Sequence, residues 1–158
     1  ATYPQYGKYH WQGHRTCEFF TSPEGYRKLG GLCPVCGRKL TNGVDLEVRR
    51  RADRSRGYVP KGAKPFIRVI QLSEILSKIS GSPATSAKVW NQYEGLIKRF
   101  GNEYSVLLDV PIQELDEVGG KRLGNMVGKM RQGALEIKPG YDGIYGELVD
   151  TSETTPEE

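Results

Sequence analysis

The stretch His14-Arg15-Thr16-Cys17, followed after fifteen intervening residues by Cys33-Pro34-Val35-Cys36, decides how the first part of this chain folds. In each half, two residues separate a pair of potential metal ligands, so a short turn can present both side chains to one ion. Zn²⁺ favours such a mixed set of nitrogen and sulfur ligands. We therefore predict that His14, Cys17, Cys33 and Cys36 bind one structural zinc ion and leave no coordination position for catalysis.

Two alternatives use the same part of the sequence differently. His10 could replace His14 as a ligand, but six residues would then separate it from Cys17. Cys33 and Cys36 could form a redox disulfide, as in a thiol oxidoreductase, although no βαβ pattern surrounds them. Gly37 favours the zinc interpretation, because a glycine after the second cysteine permits the tight turn of a zinc knuckle.

Composition narrows the classes of protein that remain. Hydrophobic residues make up 37% of the 158 residues, and the mean hydropathy is -0.56, so a small core would benefit from a metal. No apolar run approaches the about 20 residues that cross a bilayer, and no signal-peptide pattern is visible, so we expect no membrane partner. An odd number of cysteines favours a reducing, cytoplasmic setting over a disulfide scaffold. Because the chain starts at Ala1, we expect a trimmed product or a fragment of a longer protein.

The sequence predicts an α+β chain in which a small zinc ribbon-like module precedes a mainly helical module. We expect the zinc-binding module with a basic helix at residues 1–60, the helical module at 61–149 and a disordered acidic tail at 150–158. Asp45 is the expected N-cap of the basic helix. The β-branched run from Phe66 to Leu72 predicts a strand.

Helical patterns dominate the second half of the sequence. The predicted helices cover Glu74–Ile79 with Ser73 as cap, Ala87–Phe100 ended by Gly101, Pro111–Val118, and Lys121–Gln132. Trp90, Tyr93 and Phe100 fall on one face of the second of these helices, where we expect them in the core.

Charge is distributed unevenly along the chain. Residues 38–68 contain ten Lys or Arg against three acids, whereas residues 142–158 contain six acids and no base. The basic cluster predicts an anionic partner, and the guanidinium fork of arginine suits phosphate. In the alternative interpretation, these residues form a solvated helix face on which Arg50 and Arg54 pair with Glu47 or Asp53.

Two further features suggest contacts with nucleic acid. Gly119-Gly120-Lys121-Arg122 lies between two predicted helices and loosely resembles a helix-hairpin-helix turn, although a plain helix–helix turn fits the glycines better. Trp11, Tyr141 and Tyr145 could stack on an unpaired base, but we favour packing in the core or against a neighbouring domain.

Several stretches together resemble the region that follows the PHP domain in endonuclease Q and its relatives. They are Gly7-Lys8-Tyr9-His10, Gly13-His14-Arg15-Thr16-Cys17, Cys33-Pro34-Val35-Cys36-Gly37-Arg38, Gln71-Leu72-Ser73-Glu74-Ile75 and Pro139-Gly140-Tyr141-Asp142-Gly143. The resemblance spans about residues 7–149, and the combination of the ligand pairs with the last stretch makes it specific. One departure is that family members usually have cysteine at the position of His14; histidine substitutes readily as a zinc ligand.

The resemblance implies a role in DNA repair. In this family, an N-terminal PHP domain binds a metal cluster through ligands that include a His-x-His pair and cuts DNA on the 5′ side of deaminated bases. This chain has two histidines, and they do not form that pair. The resemblance therefore implies a non-catalytic C-terminal part, whose partners are DNA and an upstream PHP nuclease domain of the same parent chain. The alternative is a zinc-scaffolded protein–protein adaptor.

Charge clustering and the resemblance together indicate the DNA contacts. Their expected side chains are Arg49, Arg50, Arg51, Arg54, Arg56, Lys121 and Arg122. Such contacts to phosphate would give affinity with little sequence preference.

The chain alone is expected not to cut DNA. Hydrolysis of the family's type needs metal ions that activate a water and stabilise the leaving oxygen, and the predicted zinc site has no free position. A labelled duplex that contains uracil or hypoxanthine should therefore stay intact with Mg²⁺, Mn²⁺ or Zn²⁺, and addition of a PHP nuclease domain should restore nicking. Metal-dependent cleavage by the isolated chain, lost on mutation of one of its residues, would contradict this expectation.

Overall fold

The computed structural model describes residues 1–55 and 57–150, which form two compact units. The ligand unit consists of residues 4–65 and 137–147. The helical unit consists of residues 1–3, 66–136 and the described chain from 148 onward. Each unit thus combines segments that lie far apart in the sequence.

A short hairpin is the centre of the ligand unit. Strands β1 (Gln12–His14) and β2 (Phe19–Thr21) are antiparallel, with His14 opposite Phe19. A 3-10 turn, Arg15–Cys17, joins them. Helices α1 (Pro23–Lys28) and α2 (Val44–Arg51) follow, and strands β3 (Ile137–Lys138) and β4 (Glu147–Leu148) form a second two-stranded sheet. This hairpin with its cysteine and histidine side chains, followed by a mostly helical part, confirms the predicted α+β class.

The start of α2 differs from the prediction. Gly43 precedes the helix, and Asp45 is in its first turn, so Asp45 is not the N-cap. The N–H groups of Val44 and Asp45 instead donate to backbone oxygens of Tyr9 and His10, at 2.7 and 3.1 Å. A Cβ atom on Gly43 would lie 2.5 Å from the His10 oxygen, so this close backbone approach requires glycine.

Four helices and one π-helical turn make up most of the helical unit. They are α3 (Leu72–Ser80), α4 (Ala87–Phe100), the π-helix Ser105–Asp109, α5 (Ile112–Gly119) and α6 (Lys121–Arg131). Their apolar faces form a core with fully buried side chains of Leu72, Ile75, Val89, Val106, Leu115, Leu123 and Val127. Among the described residues, no helix has both the length and the apolar character needed to span a bilayer.

The predicted strand Phe66–Leu72 is wrong. Residues 66–71 are irregular, Phe66 and Ile67 are exposed, and Leu72 is the first residue of α3. The N–H of Leu72 donates to the Glu103 carboxylate at 2.7 Å, so a distant acid satisfies the start of α3. Gln71, and not Ser73, occupies the N-cap position.

Helix α4 follows the prediction at both ends. The Ser86 hydroxyl accepts the Val89 N–H at 3.4 Å, and Gly101, with φ 94°, ends the helix. The expected core position of Trp90 is wrong, because 44% of its surface is exposed. The buried face of α4 is built by Val89 and Leu96 instead.

Two helical glycines should respond oppositely to substitution. A Cβ on Gly95 meets no heavy atom within 4 Å, so Gly95→Ala should stabilise the chain by up to about 1 kcal/mol through helix propensity. A Cβ on Gly124 would lie 2.0 Å from the Asp116 carboxylate and 3.1 Å from Ile112, so Gly124→Val should destabilise the chain by about 1–3 kcal/mol. Urea unfolding of both variants measures this, and a destabilised Gly95→Ala would contradict it.

Candidate metal centre and nucleic-acid interface

Four side chains converge at one end of the β1–β2 hairpin. His14 ends β1, Cys17 lies in the turn that follows, and Cys33 and Cys36 flank a second turn. All four ligand atoms lie within 4.8 Å of one another, and Nδ1 of His14 is 3.2 Å from Sγ of Cys36. Tetrahedral zinc with Zn–S bonds of about 2.3 Å would separate two sulfurs by about 3.8 Å. The cluster could therefore hold a metal ion.

The second turn has the backbone of a zinc knuckle. The Cys33 N–H donates to the Arg38 oxygen at 2.7 Å, and the Gly37 N–H donates to the Cys33 oxygen at 2.8 Å. Gly37 has φ 71°, a conformation that glycine adopts without strain. Gly37 therefore permits the tight turn after the second cysteine pair, as the sequence predicts.

The cysteines of the cluster differ in acidity. Burial works to raise the pKa of Cys33, but the N–H groups of Val35 and Cys36 donate to its sulfur, and the pKa falls to about 6. Burial and, after it, hydrogen bonds with Cys36 and Cys33 together raise the pKa of Cys17 to about 11. Because thiolates bind metal, ion binding must release the Cys17 proton.

The structure gives no support to the two alternatives, which were His10 as a ligand and a disulfide between Cys33 and Cys36. His10 is not a member of the group of ligand atoms found among the described residues. Its backbone oxygen instead accepts the Asp45 N–H, and burial lowers the pKa of its ring. Cys17, Cys33 and Cys36 are all free of disulfides.

Asp142 is a residue of this centre that the sequence analysis missed. Its carboxylate accepts the Arg15 N–H at 2.6 Å and the Thr41 hydroxyl. Burial works to raise the pKa of Asp142, but these hydrogen bonds, with the charges of His14 and Arg15, lower it. The only sequence signal was the Pro139–Gly143 stretch, noted for its resemblance and its turn residues.

The arginines of α2 lie on a helix whose acids partly neutralise them. Arg49 forms ion pairs with Glu24 and, at 3.1 Å, with Asp45, and Arg50 pairs with Glu47 at 3.0 Å. Such exposed pairs are weak and leave the cations available to other anions.

The last two described arginines of the run have its longest ion pairs. The Arg51 side chain is 84% exposed and 3.9 Å from Glu47. The Arg54 side chain is 57% exposed, 3.7 Å from Asp53, and its guanidinium lies 4.8 Å from the centre of the Tyr58 ring. Arg56 lies outside the described residues.

The second basic pair begins α6. Gly120, with φ 84°, separates α5 from α6, and Lys121 after it is exposed. Arg122 donates to the buried Asp150 carboxylate from Nε at 3.1 Å and from Nη2 at 2.6 Å. Arg122 therefore has a structural partner, whereas Lys121 presents its charge to solvent.

The three candidate stacking residues lie in different surroundings. Tyr141 is 5% exposed, and its ring stacks on Phe20 with centroids 4.8 Å apart. The ring centroids of Trp11 and the same Phe20 are 6.1 Å apart. Tyr145 is 66% exposed, with the Lys8 ammonium 5.3 Å from its ring centre. Packing in the core is confirmed for Tyr141, and Tyr145 is on the surface of the ligand unit.

The fold and the cluster define a class: a hairpin-based module with a Cys₃His cluster that could hold a metal ion, accompanied by a bundle of short helices. The chain is similar to the C-terminal part of a solved lesion-specific endonuclease, which confirms the resemblance given above. The crystal structure of the lesion-specific endonuclease PfuEndoQ from Pyrococcus furiosus superposes with TM-score 0.79 and 30% identity, over 94% of this chain and 36% of that one.

Other comparisons agree. An endonuclease Q crystallised with a 27-mer duplex substrate that has an abasic lesion at the active site gives TM-score 0.78 and 29% identity, over 97% of this chain and 38% of that one. The family model of the MJ0043 C-terminal domain matches residues 71–134.

Two curated relatives extend over most of the chain. Uncharacterized protein MJ0043 of Methanocaldococcus jannaschii is 31% identical over 92% of this chain. Uncharacterized protein YqxK of Bacillus subtilis is 27% identical, also over 92%. The chain spans 18% and 33% of the length of these two relatives.

One metal ion per chain is expected in the purified protein, bound by the four clustered side chains. Cys36→Ala should reduce the metal content to near zero and unfold residues 9–45, because metal affinity supplies folding energy in such modules. His14→Ala should also lose the metal. His10→Ala is the matched control and should retain it. Elemental analysis measures the content, and hydrogen exchange reports the folding; a metal-free chain with an intact ligand unit would contradict the expectation.

Proposed function

We propose that this chain is the metal-stabilised, DNA-engaging part of an endonuclease Q-like DNA repair nuclease that cuts at deaminated bases. The observation that supports this most is the similarity to endonuclease Q along 94% and 97% of the chain, in one case to a complex with duplex DNA. Because the chain spans 36% and 38% of those proteins, we assign the cutting step to an upstream PHP nuclease domain of the parent chain.

Zn²⁺ is the ion we propose for the cluster. Three sulfurs and one imidazole nitrogen form a donor set that zinc prefers, and four protein ligands leave no position for a catalytic water. The role of the ion is then structural: it joins the β1–β2 hairpin to the turn that contains Cys33 and Cys36. Reduced thiols fit a cytoplasmic setting.

Phosphate binding is the role we propose for the basic side chains. Arg51 and Arg54 lead this set, because their side chains are exposed and their ion pairs are the longest. Arg49 and Arg50 can also bind phosphate, but they would then lose their present ion pairs with acidic side chains. Arg56 and Lys121 stay in the proposal on charge alone, and Arg122 is the weakest member because it already binds Asp150.

A protein–protein adaptor is the second candidate, and one observation favours it. Val44 and Val48, one helical turn apart on α2, are 59% and 57% exposed. They line a shallow depression together with Glu47 and Arg51. A protein partner with apolar and acidic groups would fit this surface, and Val44→Ser with Val48→Ser would then abolish its binding without changing the affinity for DNA.

Binding to duplex DNA should be weak, nonspecific and strongly dependent on salt. Each phosphate contact contributes a slope of about 0.9 in the logarithm of affinity against the logarithm of salt concentration. The double variant Arg51→Ala, Arg54→Ala should therefore reduce that slope by about 2. Fluorescence anisotropy at several salt concentrations measures it.

The matched control removes the same charge from the helical unit. Lys78→Ala with Lys98→Ala alters two exposed lysines of α3 and α4 and should leave most of the slope intact. If both double variants bind alike, the α2 run is not the contact surface. If the unaltered chain shows no salt-dependent binding, the adaptor becomes the better proposal.

A further inference from the structure

The turn at residues 139–143 closes onto the segment that carries the first pair of metal ligands. The Trp11 N–H donates to the Gly140 oxygen, and the Gly143 N–H donates to the Lys8 oxygen, both at 2.9 Å. The ring of Tyr141 fills the space beside Gly13, where a Cβ atom would lie 2.3 Å from that ring. The turn is therefore fixed against β1 and the residues just before it.

Asp142, at the tip of this turn, has an unusual conformation. Its φ is 40°, in the left-handed region where Asp and Asn are the most frequent residues other than glycine. This conformation accompanies a carboxylate that reaches back to the ligand segments, where it accepts the Arg15 N–H at 2.6 Å and the Thr41 hydroxyl.

Those two donors belong to the two halves of the metal centre. Arg15 lies between the ligands His14 and Cys17. Thr41 follows the knuckle of Cys33 and Cys36, and its N–H and oxygen pair with the backbone of Gly13 at 2.8 and 3.2 Å. One carboxylate thus holds both segments from the side.

We propose that Asp142 is a positioning residue of the metal centre, which holds the two ligand pairs at the separation that the ion requires. The proposal rests on the metal-binding role of the cluster. A carboxylate that binds both segments reduces the rearrangement needed when the ion enters, and groups that orient metal ligands in this way commonly change metal affinity by about 10- to 100-fold. Asp142 itself makes no bond to the ion.

Three substitutions in the full chain separate the carboxylate from the turn conformation. Asp142→Gly keeps the left-handed φ without strain but removes the acceptor. Asp142→Asn keeps an acceptor oxygen and tolerates the conformation. Asp53→Asn is the matched control, because that side chain is 84% exposed and lies outside the cluster. Competition with a chromophoric zinc chelator gives the affinity, and Co²⁺ absorption reports the ligand geometry.

Asp142→Gly should bind Zn²⁺ about 10- to 100-fold more weakly and alter the Co²⁺ spectrum, while Asp142→Asn and Asp53→Asn stay within a few-fold of the unaltered chain. Thr41→Val, which removes one donor outside the turn, should weaken zinc binding in the same direction. If Asp142→Gly does not fold, the zinc affinity of Thr41→Val becomes the deciding measurement.

Equal zinc affinity and equal Co²⁺ spectra for the folded Asp142→Gly chain would show that Asp142 only forms the turn. Unchanged zinc binding by Thr41→Val would also overturn the proposal. Failure of the unaltered chain to bind zinc is a different result, because it would remove the metal site itself.

Discussion

The convergence of one imidazole and three thiols is the constraint on which the ligand unit depends. The two strands of its hairpin are three residues long, far too short to be stable through their own hydrogen bonds. Cys33 is buried among groups that lower its pKa, while Cys17 retains its proton until an ion replaces it. An ion in this cluster would thus join the β1–β2 hairpin to the turn that contains Cys33 and Cys36.

The same backbone also determines where the basic helix begins. The segment before β1 supplies the oxygens of Tyr9 and His10 that accept the first N–H groups of α2. Gly43 allows this approach, since a side chain there would collide with the backbone of that segment. Four of the arginines proposed to meet phosphate lie on or just after a helix that is hydrogen-bonded to the segment before the β1–β2 hairpin.

Local features were the ones that the sequence predicted well. The clustering of the His and Cys side chains depends on spacings of a few residues, and the bounds of α4 and its stop at Gly101 are encoded within one short segment. The features that the sequence did not predict depend on residues that are distant along the chain. Glu103 satisfies the start of α3, and among the residues that the structure describes no strand pairs with the run after Phe66. The contact between Arg15 and Asp142 joins residues 127 positions apart, so no local pattern could indicate it.

The return of residues 137–147 to the ligand unit has a consequence for synthesis. A chain that emerges from the ribosome exposes all four candidate ligands before the helical segment 66–136 has been made. The turn that contains Asp142 comes after that segment. The nascent chain can therefore capture an ion early, but its ligand unit acquires the final turn only when nearly the whole chain has been translated, so the unit cannot be transferred as one contiguous cassette.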